Sequence, residues 1–460
     1  MGGKAILLLI IGLSTTLVFV NQNHTRLSTL AAQNIYEHYE KANVHNAAVS
    51  GANLGCNEIF FNPRWKGYDN TLNFDGCSVT VKVEELDIEK NIRRINSIAT
   101  VQVNTPLGLM TIKDTVMVTL KPSNFSKFAY YSENEGGNIY WTSGDTVWGP
   151  FHTQDKLRVN GNPQFMGYST NKKGLEKNSV TDNPYFKEYD TDVDLPIDED
   201  AVSELYTVAQ SGGFVFPSTF STTTTSQTWV CNHWGWNKHY SPCSNGYWRT
   251  STSTSSENVE TVYLSFEGDY IKYKYNSQST WTTVGASEIS PNGVIYVKNA
   301  QLRVTGKQTY SGNGGVKGKF TVVCSGTTGN KGEIYLDDDV VYHKDPVQYP
   351  ATTDILGLVA ERNVWITNNN ENNNHININA SIYCQEGGFG AENHNTRPQS
   401  GNINLIGGII QKTRAAVGII GRYGISNGFN KRYMYDGRFM FNAPPKYPNT
   451  GSFEILSWYE

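Results

Sequence analysis

Hydrophobic and polar positions fall into three patterns along the chain. The run Ala5 to Val20 carries no charge and only one internal glycine, Gly12. It continues without a proline into a polar stretch, Asn21 to Asn53, where Leu27, Leu30, Ala31, Ile35, His38, Ala42 and Ala52 recur near helical spacing. Glu37 and Lys41 form an i,i+4 pair in the favourable order. The pattern predicts one long helix, roughly 75 Å at 1.5 Å per residue, with Gly55 supplying its C-terminal stop.

The second pattern has period two. Cys77 to Val83, Ile98 to Val103 and Thr115 to Leu120 alternate between apolar and polar residues, and Asn104-Thr-Pro-Leu-Gly108 reads as a hairpin turn. A small antiparallel sheet laid over the end of the long helix follows. From Gly137 short apolar strands recur between Gly or Asn turns. A first set includes Asn138 to Thr142, Val147 to Gly149, Lys156 to Val159 and Gln164 to Gly167. A second set begins at Gly293 and includes Val294 to Val297, Gln301 to Val304, Phe320 to Cys324, Leu356 to Val359, Ile376 to Ile378 and Ile403 to Ile406. Many neighbours start six to eight residues apart, which predicts a parallel β-helix whose coils bury their apolar residues on one another. A β-sandwich is the alternative. The Asn-rich run Asn368 to Asn374 is assigned to a turn or exposed loop.

Between the two sets, Ser218 to Gln227 and Thr250 to Ser256 are Ser/Thr-rich and read as flexible. They bracket an aromatic-rich segment, Trp229 to Cys243, read as a disulfide-closed loop inserted into the solenoid. The predicted fold is therefore mainly β: a long N-terminal α-helix with a small antiparallel sheet, then a right-handed parallel β-helix. The corresponding segments are 1–20 (anchor or leader), 21–55 (stalk helix), 56–136 (small β domain), 137–215 (first coils), 216–256 (insertion) and 257–460 (main coils and tail).

Charge and cysteine content place this fold. Lys4 is the one side-chain charge before the apolar run, so the positive-inside bias sends residues 21–460 outward. Val18-Phe-Val-Asn-Gln-Asn23 lacks the small-x-small site of a cleaved signal, which favours a retained or N-terminally trimmed membrane anchor. Net charge is -4 and charged residues make up 17%, so no nucleic-acid partner is expected. The six cysteines are an even count, which outside the cytoplasm favours disulfides. Cys56 at the helix end and Cys77 at the first long strand are assigned to a bridge tying helix to sheet, with two free thiols as the alternative. Cys231 and Cys243 are assigned to closing the loop, while Cys324 and Cys384 are left unassigned.

The N-terminal helix resembles that of type IV pilins and pilin-like proteins. Met1-Gly-Gly3 is similar to a short prepilin-type leader, with Gly2 or Gly3 at the cut, and Ala47-Ala-Val-Ser-Gly-Ala-Asn-Leu54 resembles the helix end of minor-pilin-like proteins. A cut there puts Leu7 or Leu8 at the fifth mature position, where pilins usually carry glutamate. A second resemblance is to bacterial surface proteins of a domain-of-unknown-function family that also carry a pilin-like N-terminus. It rests on Gly144-Asp-Thr-Val-Trp-Gly-Pro-Phe-His-Thr153 and on the tail block Ile376 to Gln411, with its Ala380-Ser-Ile, Gly388-Phe-Gly-Ala-Glu-Asn393 and Gly407-Gly-Ile-Ile-Gln-Lys412. That resemblance implies a β-helical ectodomain without an assigned activity.

Candidate chemistry is sparse. Asp337-Asp338-Asp339 with Asp345 could hold Ca2+ or form a carboxylate pair, as polysaccharide cleavage requires, but the triplet reads as a solvated turn. Cys231, His233, His239 and Cys243 are donors that zinc accepts, in a spacing that matches no common finger. His152 reads as a packed or turn histidine rather than a catalytic one. No catalytic, cofactor-binding or metal residue is assigned. Trp229, Trp234, Trp236, Tyr240, Tyr247 and Trp248 crowd one segment and are the candidate contact surface, able to stack on sugars or fill a partner's pocket, or else to pack on the solenoid flank. The expected partners are the membrane through the N-terminal helix, other pilin-like subunits, or a surface glycan or protein. The leading reading is a non-enzymatic, membrane-anchored surface, adhesive or appendage-assembly protein. The alternative is a β-helical carbohydrate-active enzyme, a polysaccharide lyase or hydrolase.

Overall fold

A computed structural model describes residues 2–62, 64–87, 91–105, 108–197, 200–231, 246–308, 312–421 and 424–460. The fold is mainly β, with one long N-terminal helix, α1 (Gly2–Phe61). Two compact units are present, residues 1–123 with 451–460, and residues 124–450.

In the first unit, the apolar part of α1 is exposed throughout, and it is long and apolar enough to cross a membrane. Thr15 and Thr16 hydroxyls donate to the Ile11 and Gly12 carbonyls at 3.0 and 2.7 Å, so these polar groups are satisfied inside the apolar run. The far end of α1 buries Val44, Ala47, Ala48, Ala52 and Ile59 against an antiparallel sheet of Leu72–Phe74, Cys77–Asp87, Ile92–Thr105 and Gly108–Asn124, with Asn449–Tyr459 added at its edge. Val79 pairs with Ala99 and Ser97 with Val116, and Thr105 pairs with Gly108 across the expected hairpin. The helix runs on through Gly55 to Phe61 instead of stopping there. Gly51 and Gly55 serve another purpose. A Cβ on Gly51 would meet a Val79 methyl at 2.7 Å, and one on Gly55 would meet an Ile95 methyl at 2.9 Å. Both glycines are therefore where the helix lies closest to the sheet.

The second unit is built on parallel ladders. One runs through Phe214–Val215, Val294–Lys298, Lys319–Ser325, Ile355–Ala360, Ile376–Cys384 and Gln399–Thr413. It then continues into Tyr130–Asn134, Phe151–Thr153, Gln164–Asn171 and Tyr185–Thr191. Strands near the start of the unit thus stack beyond those near its end, with Ile409 and Ile410 paired to Tyr130 and Tyr131. A second ladder joins Thr261–Gly268, Gln301–Gly306, Ile334–Val340, Val364–Ile366 and Phe389–Ala391.

Successive strands align side chains in columns. Ile295, Val322, Leu358, Ile382, Ile409, Tyr130 and Phe151 form one buried column. On the opposite face, Tyr296, Val323, Val359, Tyr383, Ile410 and Tyr131 form another. Helix α2 (Ala201–Gln210) covers this second face with Ala201, Val202, Leu205 and Ala209. Burial on both faces explains why these strands read as continuous apolar quartets rather than as alternations.

Candidate functional site

The Ser/Thr tracts expected to be flexible are instead the strands of a long antiparallel ribbon. Thr219–Cys231 pairs with Gly246–Asn258 in unbroken register, from Thr219 opposite Asn258 to Cys231 opposite Gly246. The residues are polar, but the first strand is rich in β-branched threonine, which suits extended backbone. Cross-strand hydroxyls meet, with Ser226 and Ser251 at 2.7 Å and Thr223 and Thr254 at 3.4 Å. At the root Phe220 packs on Tyr275, ring centroids 5.3 Å apart.

Toward the far end Trp229 lies opposite Trp248, edge to face with centroids 5.3 Å apart. Trp248 is 61% exposed and Tyr247 53%. Two of the candidate tryptophans are thus brought together beside an exposed tyrosine. Trp234, Trp236, Tyr240 and Cys243 lie outside the described residues, as do His233 and His239, so the expected Cys231–Cys243 closure and the four-donor zinc set fall there too.

The expected bridge between Cys56 and Cys77 is not formed, and both are free thiols. The reason is position along α1. Burial, with Glu40 and Asp75 nearby, pushes the Cys77 thiol up, and Asn43 Nδ2 donates to the Asp75 carbonyl at 3.2 Å. The strand therefore enters beside residues 40–43, about 20 Å along the axis from Cys56 at 1.5 Å per residue. A disulfide needs its Cα atoms within about 7 Å. Cys324 and Cys384 are also free, and burial pushes both thiols far up.

The acidic triplet is not a solvated turn. It lies within the strand Ile334–Val340, half-buried, and each carboxylate has its own partner. Arg303 grips Asp337 through Nε and Nη2 at 2.8 and 2.5 Å. Lys307 reaches Asp338 at 3.3 Å. Asn377 donates to both Asp339 oxygens, from its backbone N at 2.8 Å and Nδ2 at 2.9 Å, and Asn404 Nδ2 in turn donates to Asn377 Oδ1 at 3.0 Å. This amide chain borders a cleft of about 460 Å3 that also includes Lys307, Asp345 and Tyr349. Among the described residues, no cluster of three or more His, Cys, Asp or Glu side chains is placed to hold a metal ion.

His152 is packed, as expected. It stacks on Tyr131 with centroids 5.4 Å apart, and its Nδ1 lies 2.7 Å from Thr170 Oγ1. Burial lowers its pKa to about 4, so the ring is neutral at neutral pH. A charged group that gave no signal in the sequence lies next to the same ladder. Glu135 accepts from Tyr130 Oη at 2.7 Å, from Trp141 Nε1 at 3.1 Å and from Arg414 Nη1 at 2.6 Å. Lys431 Nζ reaches Asp145 at 2.7 Å, and burial lowers its pKa against the pull of that carboxylate. Both cations also lie over the Trp141 ring, at 4.3 Å for Arg414 and 5.2 Å for Lys431. Isolated charges 279 and 286 positions from their partners leave no local motif.

No protein-family model and no curated protein matches the chain. Among solved structures, that of the competence-associated pilin ComZ from Thermus thermophilus aligns over 91% of this chain and 97% of its own, at 11% identity and a TM-score of 0.35. A likeness that loose carries no inference.

Proposed function

We propose that the chain is a non-enzymatic, membrane-anchored protein of pilin-like build, displayed on the cell surface or in an appendage, where it acts in structure, adhesion or assembly. The observation that carries this is the division of α1. Its charge-free N-terminal run is wholly exposed, whereas its C-terminal part is packed on a small antiparallel sheet. An apolar helical run of this size left bare is suited to lipid or to neighbouring helices of the same kind. We read the ladders of residues 124–450 as coils of a right-handed parallel β-helix, a rigid body that would hold the exposed Trp229/Trp248 ribbon out as a contact element. The alternative of a carbohydrate-active enzyme is disfavoured by the acidic triplet: Arg303 and Lys307 hold Asp337 and Asp338 away from the cleft, and Asp339, which borders it with Asp345, is bound by both Asn377 donors.

Protease shaving of intact cells tests the proposal. Release of most of residues 21–460, together with recovery of the chain in purified membrane or appendage fractions, is the expected result. A protease-protected cytosolic pool would overturn it.

A further inference from the structure

Among the described residues, strands Thr219–Cys231 and Gly246–Asn258 form a two-stranded sheet, so the outer edge of the run Thr219–Thr228 carries no third strand. In an antiparallel pair, alternate residues of each strand aim their N–H and C=O groups away from the partner. Thirteen residues per strand make an edge about 43 Å long at roughly 3.3 Å per residue. Natural sheets protect such edges with charged side chains, proline, bulges or a covering segment. Here Thr219 to Cys231 contains no charge, proline or glycine. Its register with the partner strand has no bulge, and its middle, Thr223 to Thr228, is exposed. Thr222 to Thr225 adds four consecutive β-branched residues. The companion strand differs in carrying Arg249 and Glu257 near its ends.

We propose that this uncharged edge is a self-association surface. Strand Thr219–Cys231 of one molecule pairs antiparallel with the same strand of a second copy, about a two-fold axis through the Thr222–Thr225 run. The product is a four-stranded sheet whose inner pair is threonine facing threonine. A second copy fits better than a foreign peptide because the edge offers neither charge nor an apolar pocket with which to select another sequence. It offers a neutral hydroxyl-bearing strand that complements itself, and two-fold pairing makes every contact twice. The Thr223–Thr254 and Ser226–Ser251 contacts within one ribbon already show the cross-strand hydroxyl pairing that the new seam would repeat. A lone two-stranded ribbon is also marginal in water, whereas a four-stranded sheet is not.

Thr224 is exposed and close to the proposed axis, so its charge can be set without touching a buried group. The test uses the full chain in detergent, with association followed by analytical ultracentrifugation for the parent, for Thr224→Lys, for Thr224→Glu and for an equimolar mixture of the two variants. The parent should associate. Each variant alone should associate several-fold more weakly, because like charges meet across the seam, and the mixture should recover at least the parent's affinity. Recovery in the mixture also shows that both variants are folded. A monomeric parent, single variants that associate like the parent through α1, or a mixture that does not recover would each overturn the proposal.

Discussion

Arg414 and Glu135 meet at 2.6 Å although 279 positions separate them, and their side chains are 3% and 0% exposed. The pair sits at the seam where Ile409 and Ile410 stack on Tyr130 and Tyr131. It therefore ties the first strand of the unit to one near its end. Burial alone would lower the arginine pKa, but Glu135 and Tyr130 more than offset this, and it is raised. Both ions have further hydrogen bonds or ring contacts, the condition under which a buried pair can balance its desolvation.

Removing one partner should be far worse than removing both. Arg414→Met leaves a carboxylate buried without its cation and should cost about 3–5 kcal/mol. Adding Glu135→Leu to that variant should recover a large share of the loss. Urea unfolding of the two single variants and the double variant, analysed as a cycle, measures the coupling. A loss in the double variant equal to the sum of the two single losses would show that the two charges are not coupled.

Gly51 should resist substitution, while Gly12 should welcome it. Alanine in a helix gains about 1 kcal/mol over glycine, and at Gly12 nothing lies within 4 Å of the added methyl. At Gly51 the same methyl would press on Val79 and Val81, at 2.7 and 3.1 Å. Overpacking of this kind costs about 1–3 kcal/mol, so the clash outweighs the propensity gain. Gly51→Ala should lower the thermal midpoint of the helix–sheet unit and Gly12→Ala should not, as circular dichroism of the full chain in detergent can show.

The elements legible in the sequence were those whose burial is decided locally. Cys77 to Val83 alternates because one face meets α1, and Val294 to Val297 is uniformly apolar because both faces are covered. What stayed hidden depends on distant partners. Nothing in Ile409-Ile410 or Tyr130-Tyr131 says that the two pairs are neighbours, and Glu135 looks like any turn glutamate until Arg414 arrives. Helix α2 has a local signal, since Ala201, Leu205 and Ala209 lie four apart. The Ser/Thr tracts are strands despite their low hydrophobicity, because threonine favours extended backbone wherever a partner strand is at hand. The Trp229–Trp248 contact follows from that strand register, and no spacing within either tract would have given it.

Acid should weaken the fold through His152. Its folded pKa is about 4, below the ordinary histidine value of about 6.5. Between those values the unfolded chain binds a proton that the folded chain refuses, so stability falls as pH drops from about 6.5 to about 4, and flattens below. The span corresponds to about 3 kcal/mol at 1.36 kcal/mol per pH unit. His152→Phe keeps an aromatic ring against Tyr131 and removes the titration. Urea midpoints at several pH values should slope less steeply over this window in the variant. A parallel pair of curves would show that other groups set the acid response.

The ribbon should be dispensable for folding and needed for contact. Trp229, Tyr247 and Trp248 contribute nothing to the buried cores, and Tyr247 and Trp248 are more than half exposed. Replacing residues 228–248 with a short Gly-Ser turn keeps Phe220 on Tyr275 at the root and leaves both ladders intact. Burial of apolar area sets most of the stability of such a body, so the thermal midpoint of the unit should stay within a degree or two of the parent. Aromatic pairs of this kind commonly dominate an interface once a partner covers them, so attachment to cells, surfaces or other subunits should fall in the same variant. Tryptophan fluorescence and circular dichroism report the first outcome and a cell-adhesion assay the second. A large drop in the midpoint would mean that the ribbon stabilises the ladders, and undiminished attachment with an unchanged midpoint would place the contact surface elsewhere on the molecule.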